Sequence, residues 1–210
     1  MEGLNSDEKR NYGETGRTFE FLMLGEIDTK DPKYKRLLSK LSDGSSKPNY
    51  LDRNRAISLV KESQPGDPEN PSRPFFKDLL IEVQDGLENN NIQAKVKAFT
   101  AVGTPLDYLH GIDAFLTVTL QGKEYICTID VTLNQDKQNF GHKADLIIGE
   151  LSDPTNGKTS EEKYLKEIEK IGKLATANLL EQINKKSGQE NAELRKRLFG
   201  SDQPEAGVDL

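Results

Sequence analysis

The chain has 210 residues, 34% hydrophobic and 30% charged, with a formal net charge of -6 and a mean hydropathy of -0.71. That length suits one ordinary domain with extra ends, and the low apolar content leaves part of the chain outside a packed core. The balance excludes a polycation that wraps nucleic acid by bulk attraction, and no apolar run approaches the roughly 20 residues a bilayer span needs. Met1-Glu2-Gly3-Leu4-Asn5-Ser6-Asp7-Glu8 lacks the apolar stretch of a signal peptide. Cys127, with no second cysteine, precludes an intramolecular disulfide and a cysteine-based zinc site. The expectation is a cytoplasmic protein with no membrane partner.

Asn5 to Gly16 is polar and reads as flexible, and Phe19-Glu20-Phe21-Leu22-Met23-Leu24 forms an apolar patch. Helices are expected over Tyr34 to Leu41, stopped by Asp43-Gly44-Ser45-Ser46, and over about Asp52 to Glu62. From Gln64 to Pro74, four prolines and one glycine leave only a linker or surface loop. Phe76, Leu79, Leu80, Val83 and Leu87 recur at helical spacing, which predicts a helix from Phe75 ended by Asn89-Asn90-Asn91. Ile92 to Val102, Ile112 to Leu120 and Glu124 to Leu133 read as strands, with Gly103-Thr104-Pro105 breaking the chain after the first. The nearly continuous Ala144 to Ile148 has the look of a buried strand.

Thr159 with Glu162 forms a capping-box pattern. Tyr164, Ile168, Ile171, Ala175, Leu179 and Ile183 then predict a long amphipathic helix ending near Lys185-Lys186, with Gly188 as its stop. The sum is an α/β fold: a small mixed β-sheet, a meander plus one further strand, flanked by helices. A domain over 51–186, including the linker 64–74, is expected between a partly flexible N-terminal segment, 1–50, and a C-terminal tail, 187–210.

The hairpin around Gln121-Gly122 is the most informative element. A two-residue turn, the commonest length, pairs Leu120 with Lys123, Val118 with Tyr125, Leu116 with Cys127 and Ala114 with Ile129. A shift of one residue would set Ala114 against Asp130 and Leu116 against Thr128, mixing core with solvent. The favoured register places Asp113 opposite Asp130, on the face away from the apolar pairs. Directly opposed Cβ atoms lie roughly 4.5–5.5 Å apart, where like charges are destabilising. The pair therefore calls for a cation between the carboxylates or a proton on one of them. Mg²⁺ or Mn²⁺, held by one or two carboxylates plus water and phosphate, is the natural cation. Asp is also common at strand ends, where splaying would separate the two residues and leave them structural.

At these residues the chain resembles the PD-(D/E)XK nuclease-like superfamily, over roughly Phe75 to Ile148. That family's core is a helix, a three-stranded meander, a helix and a strand. Its acidic motifs match Gly111-Ile112-Asp113 and Ile129-Asp130-Val131-Thr132. The resemblance implies a restriction-endonuclease-like fold and metal-dependent phosphodiester hydrolysis. It also implies Asp113 and Asp130 as metal ligands, with Glu82 of the first helix as a third. Thr132 stands where the family carries its lysine, so Lys137 or Lys143 would have to place the phosphate. Asp107, in a loop before Asp113, is an alternative ligand.

His110 and His142 read as ligand or proton-shuttle candidates, or as turn and solvent histidines. Cys127 alternates inward with Tyr125 and Ile129 as a small core residue. Neither a phosphate-loop motif nor a dinucleotide fingerprint is present. Lys163, Lys166, Lys170 and Lys173 read as a solvated face balanced by Glu162, Glu167 and Glu169. Two functions follow as expectations. One is a nuclease-like, nucleic-acid-binding protein; the other is a non-catalytic module that engages a protein partner through the N-terminal apolar patch or the C-terminal helix.

Overall fold

The computed structural model describes residues 16–42, 50–133, 143–149, 151–152 and 158–199, with side chains in the last helix described as far as 188. In chain order the elements are α1 (16–24), α2 (Pro32–Leu41), α3 (Arg53–Ser63), α4 (Pro74–Glu88), β1 (Val96–Thr100), α5 (Pro105–His110), β2 (Ala114–Leu120), β3 (Lys123–Val131), β4 (Leu146–Ile148) and α6 (Lys158–Phe199). Local chemistry sets several starts. Asp31 accepts the Lys33 N–H and Asp52 accepts those of Asn54 and Arg55, capping α2 and α3, while Pro74 opens α4.

The sheet has the order β1-β2-β3-β4; β1 to β3 form an antiparallel meander and β4 runs parallel to β3. The hairpin adopts the register expected from its apolar pattern, Ala114↔Ile129 through Leu120↔Lys123. Its turn carries positive φ at both Gln121 (52°) and Gly122 (76°), the twist that suits a two-residue hairpin.

Helices cover both faces. Ala114, Leu116, Val118, Cys127, Ile129 and Val131 pack with α4 and α6 residues such as Phe76, Val83, Ile168 and Leu179. Phe99 and Phe115, stacked at 4.9 Å, pack on the other face with Tyr34, Leu59, Val60, Leu106 and Ile112 from α2, α3, α5 and its flank. The second face is thus a core rather than the solvent side. Residues before 51 belong to this packing, since Leu24, Ile27 and Tyr34 are buried.

The outer edge of β1 is closed off. Along β1 the Pro68 carbonyl accepts the Ala98 N–H at 2.9 Å and Gln64 Oε1 accepts the Thr100 N–H at 3.1 Å. Those contacts come from the proline-rich stretch, which is a surface loop packed on the sheet rather than a linker.

Three elements depart from expectation. The apolar patch lies in α1, with Leu24 buried, Phe19 and Met23 against the core, and only Phe21 and Leu22 exposed. The loop expected before Asp113 contains α5. Finally, α6 runs through Gly188 to Phe199, because a glycine within a helix costs only about 1 kcal/mol and stops it only where the next turn has no other support.

The α4–α6 seam depends on two other glycines. A Cβ at Gly172 would lie 2.4 Å from the Glu82 Cβ, and one at Gly86 would lie 2.5 Å from Thr176 Oγ1. Gly172→Ala is expected to destabilise the protein by about 1–3 kcal/mol through overpacking. Gly188→Ala, in open space on the same helix, should stabilise it by up to about 1 kcal/mol. Thermal denaturation of the two variants checks the contrast; equal shifts would mean that the seam is loosely packed.

Candidate functional site

The open end of the β2–β3 hairpin leaves a backbone donor that the ladder does not reach. Regular pairing ends at Ala114↔Ile129. Beyond it the Asp113 N–H donates to the Ile129 carbonyl at 2.9 Å, and the Asp113 carbonyl accepts from Ala101 at 2.7 Å. The Asp113 side chain then supplies what the backbone cannot: its Oδ2 accepts the Val131 N–H at 2.8 Å. Asp113 is 4% exposed and Asp130 7%.

A second carboxyl arrives from α5. Thr104 caps this six-residue helix, Pro105 occupies its first turn, and Gly111 ends it with a left-handed φ of 62°. Asp107 Oδ2 accepts the Gly103 N–H at 2.8 Å. Its carboxyl shares a hydrogen bond with Asp113, and both feel the charge of Asp130. A further like charge reaches Asp113 from Glu20 of α1.

Burial, reinforced by Glu20, Asp107 and Asp130 against the Val131 N–H, pushes the Asp113 carboxyl up to about 8. Burial also raises Asp107, opposed by the Gly103 N–H, the Arg17 charge and the bond from Asp113. Two carboxyls share a hydrogen bond only when one holds a proton. Burial raises both carboxyls, Asp113 above all, so this pair favours a shared proton over two bare charges.

The other expected residues are dispersed. Glu82 packs against Gly172 of α6, and its charge falls on Lys173. It lies in the seam on the opposite side of the sheet, so the helical acid beside Asp113 is Glu20 instead. Lys143 Nζ donates to the Leu109 carbonyl at 3.3 Å, at the end of α5. His110 Nε2 meets the Leu51 carbonyl at 2.9 Å, and Cys127 is fully buried with its thiol raised by burial. Lys137 and His142 lie outside the described residues. Thr132 is buried, and its N–H donates to the Ile148 carbonyl at 2.9 Å.

Glu20 and α5 escaped the sequence reading for different reasons. The Thr-Pro start and Gly111 stop of α5 were readable as caps, but six residues are too few for a periodic stripe. Glu20 gave only the weaker signal of an acid inside an apolar run.

Among the described residues no three His, Cys, Asp or Glu side chains are spaced to hold a metal ion, and no helix is long and apolar enough to cross a membrane. No family model, curated protein or solved structure matches this chain.

The buried proton predicts a pH dependence. Between about pH 4 and 8 the folded chain holds on Asp113 a proton that the unfolded chain, whose aspartates titrate near 4, has released. This group therefore lowers stability as pH rises through that window and has no effect below it. Asp113→Asn, which mimics the protonated carboxyl, should remove up to about 1.4 kcal/mol of loss per pH unit. Urea unfolding at pH 5 and pH 8 checks this; parallel losses in both proteins would show that Asp113 titrates normally.

Proposed function

We propose that this chain is a metal-dependent nuclease-like protein whose site is the carboxylate cluster at the open end of the β2–β3 hairpin. The observation that carries the reading is the burial of Asp113 with Asp107, Asp130 and Glu20 close enough to raise its carboxyl. Such a site gains most from a cation, which relieves three like charges at once. The donor set fits a hard divalent ion: carboxylate oxygens, no thiolate, and Mg²⁺ needs only one or two carboxylates when water and substrate phosphate complete its shell. Asp113 and Asp130 would hold it.

Bound there, Mg²⁺ or Mn²⁺ would supply the positive charge that draws in a phosphodiester and lowers the pKa of a water. The chain's own part is to orient and to move protons. The Val131 N–H fixes Asp113 Oδ2, which leaves Oδ1 for the cation. Asp107, fixed by Gly103, is placed to pass to solvent the proton that Asp113 gives up. Helix α4 followed by the β1–β2–β3 meander and a parallel β4 follows part of the restriction-endonuclease-like order; α5 interrupts the meander, and among the described residues no helix lies between β3 and β4. Thr132 shares a strand face with Asp130 two residues away but carries no charge. It is the observation that favours the second reading, a non-catalytic interaction module on the same scaffold.

Because the cation must displace a proton, Mn²⁺ at about ten times its Kd should raise Tm by roughly 2–6 °C at pH 8.5 and much less at pH 6. Asp113→Asn and Asp130→Asn should each remove the rise and any nicking of plasmid DNA. A rise that survives both substitutions would sink the metal site. A rise that responds to them, without nicking by the native chain, would select the interaction module.

A further inference from the structure

Strand β3 has nine residues and β4 only three. β4 pairs with Ile129, Asp130 and Val131, so among the described residues the edge from Glu124 to Thr128 has no strand neighbour on that side. Side chains close it instead. Gln182 of α6 uses one carboxamide twice: Nε2 donates to the Ile126 carbonyl at 2.8 Å, and Oε1 accepts the Ile126 N–H at 3.4 Å. Lys186 Nζ donates to the Glu124 carbonyl at 3.3 Å, and Asp145 Oδ2 accepts the Thr128 N–H at 2.8 Å. Beside this edge a groove of about 420 Å³ runs between α3 and α6, lined in part by Arg53, Asn54, Ile57, Asn178 and Glu181.

The two edges of the sheet are closed by different means. At β1 the cover is main chain, in a loop stiffened by prolines. At β3, among the described residues, it is the side chains of Gln182, Lys186 and Asp145, with open space next to them. We propose that the β3 edge centred on Ile126 is a strand-accepting surface for an extended segment of a partner protein, and that Gln182 is its built-in placeholder. The occupant's chemistry follows from what stands there now. Toward the strand the carboxamide presents one donor and one acceptor, as a peptide unit does, while Nε2 also donates to Asn178 Oδ1 at 2.8 Å within α6; an incoming backbone can replace both bonds to Ile126 without leaving it unsatisfied. Main-chain pairing of this kind supplies affinity, and alternate side chains fall into the groove.

Asp145 marks the fixed end of the surface. Its Oδ2 also accepts the Thr128 hydroxyl at 2.6 Å, and its own N–H donates back to that hydroxyl at 3.0 Å. The openable stretch therefore lies on the Glu124 side of Thr128, where Gln182 and Lys186 can swing away.

The test uses the full ¹⁵N-labelled chain and the capped peptide acetyl-Thr-Val-Thr-Val-Thr-amide, with an analogue N-methylated at alternate residues. The peptide should shift the Ile126 amide resonance, and Gln182→Ala should bind it roughly 5- to 30-fold more tightly, since two competing hydrogen bonds are gone. Gln182→Met keeps the half-buried volume and should behave alike, so it carries the test if the alanine variant unfolds. The N-methylated analogue should not bind. The proposal is overturned if the peptide binds neither variant, if it binds them no more tightly than the native chain, or if N-methylation makes no difference. It is equally overturned if either variant self-associates in sedimentation without peptide, which would make Gln182 a guard against a second copy.

Discussion

One hydrogen bond, from the Val131 N–H to the Asp113 carboxylate, ties the end of the sheet to the acidic cluster. A buried N–H left without an acceptor costs about 1–3 kcal/mol, so the strand needs a partner where its ladder stops. The hairpin register delivers Asp113 to that point. Once inside, the carboxyl has little water around it and three acids nearby, which makes a bare negative charge there costly. Sheet closure and proton retention are properties of the same side chain.

Asp107 follows from how the second face is covered, and Glu20 from α1, whose Leu24 packs in the first-face core. Residues 101–113 must return the chain from β1 to β2, and a helix just long enough to be capped by Thr104 and ended by Gly111 fits that span. Leu106 and Ile112 anchor it in the Phe99–Phe115 core, which turns Asp107 toward Asp113. Helix α1 is held to the same region by Thr100 Oγ1, which donates to the Gly25 carbonyl at 3.0 Å, and it brings Glu20. Helix α1, distant in sequence, thus joins α5 and the hairpin where two strands part.

The hairpin was legible in the sequence because one register over its seven pairs matches Ala114, Leu116 and Val118 with Ile129, Cys127 and Tyr125 on one face. Helices α4 and α6 were legible for the corresponding reason at a period near 3.6. The site was legible as far as Asp113 and Asp130, since both lie on the hairpin. Its helical acid was not: Glu82 and Glu20 are both glutamates on apolar helices, and only tertiary packing shows that α4 turns its acid toward α6 while α1 turns its own toward the sheet end. Gly188 misled because a helix stop depends on what the following turn packs against, which a single glycine does not reveal.

The proton on Asp113 also alters the ledger of charge. Counting side chains, 29 cationic against 35 anionic, gives -6. Burial holds the Asp113 carboxyl above the usual aspartate range, so near pH 7 the folded molecule favours a proton that this count leaves out, and unfolding liberates it into the medium. Heat of denaturation recorded in buffers of different ionisation enthalpy would therefore differ by the buffer's own contribution, a calorimetric trace of a single interior acid.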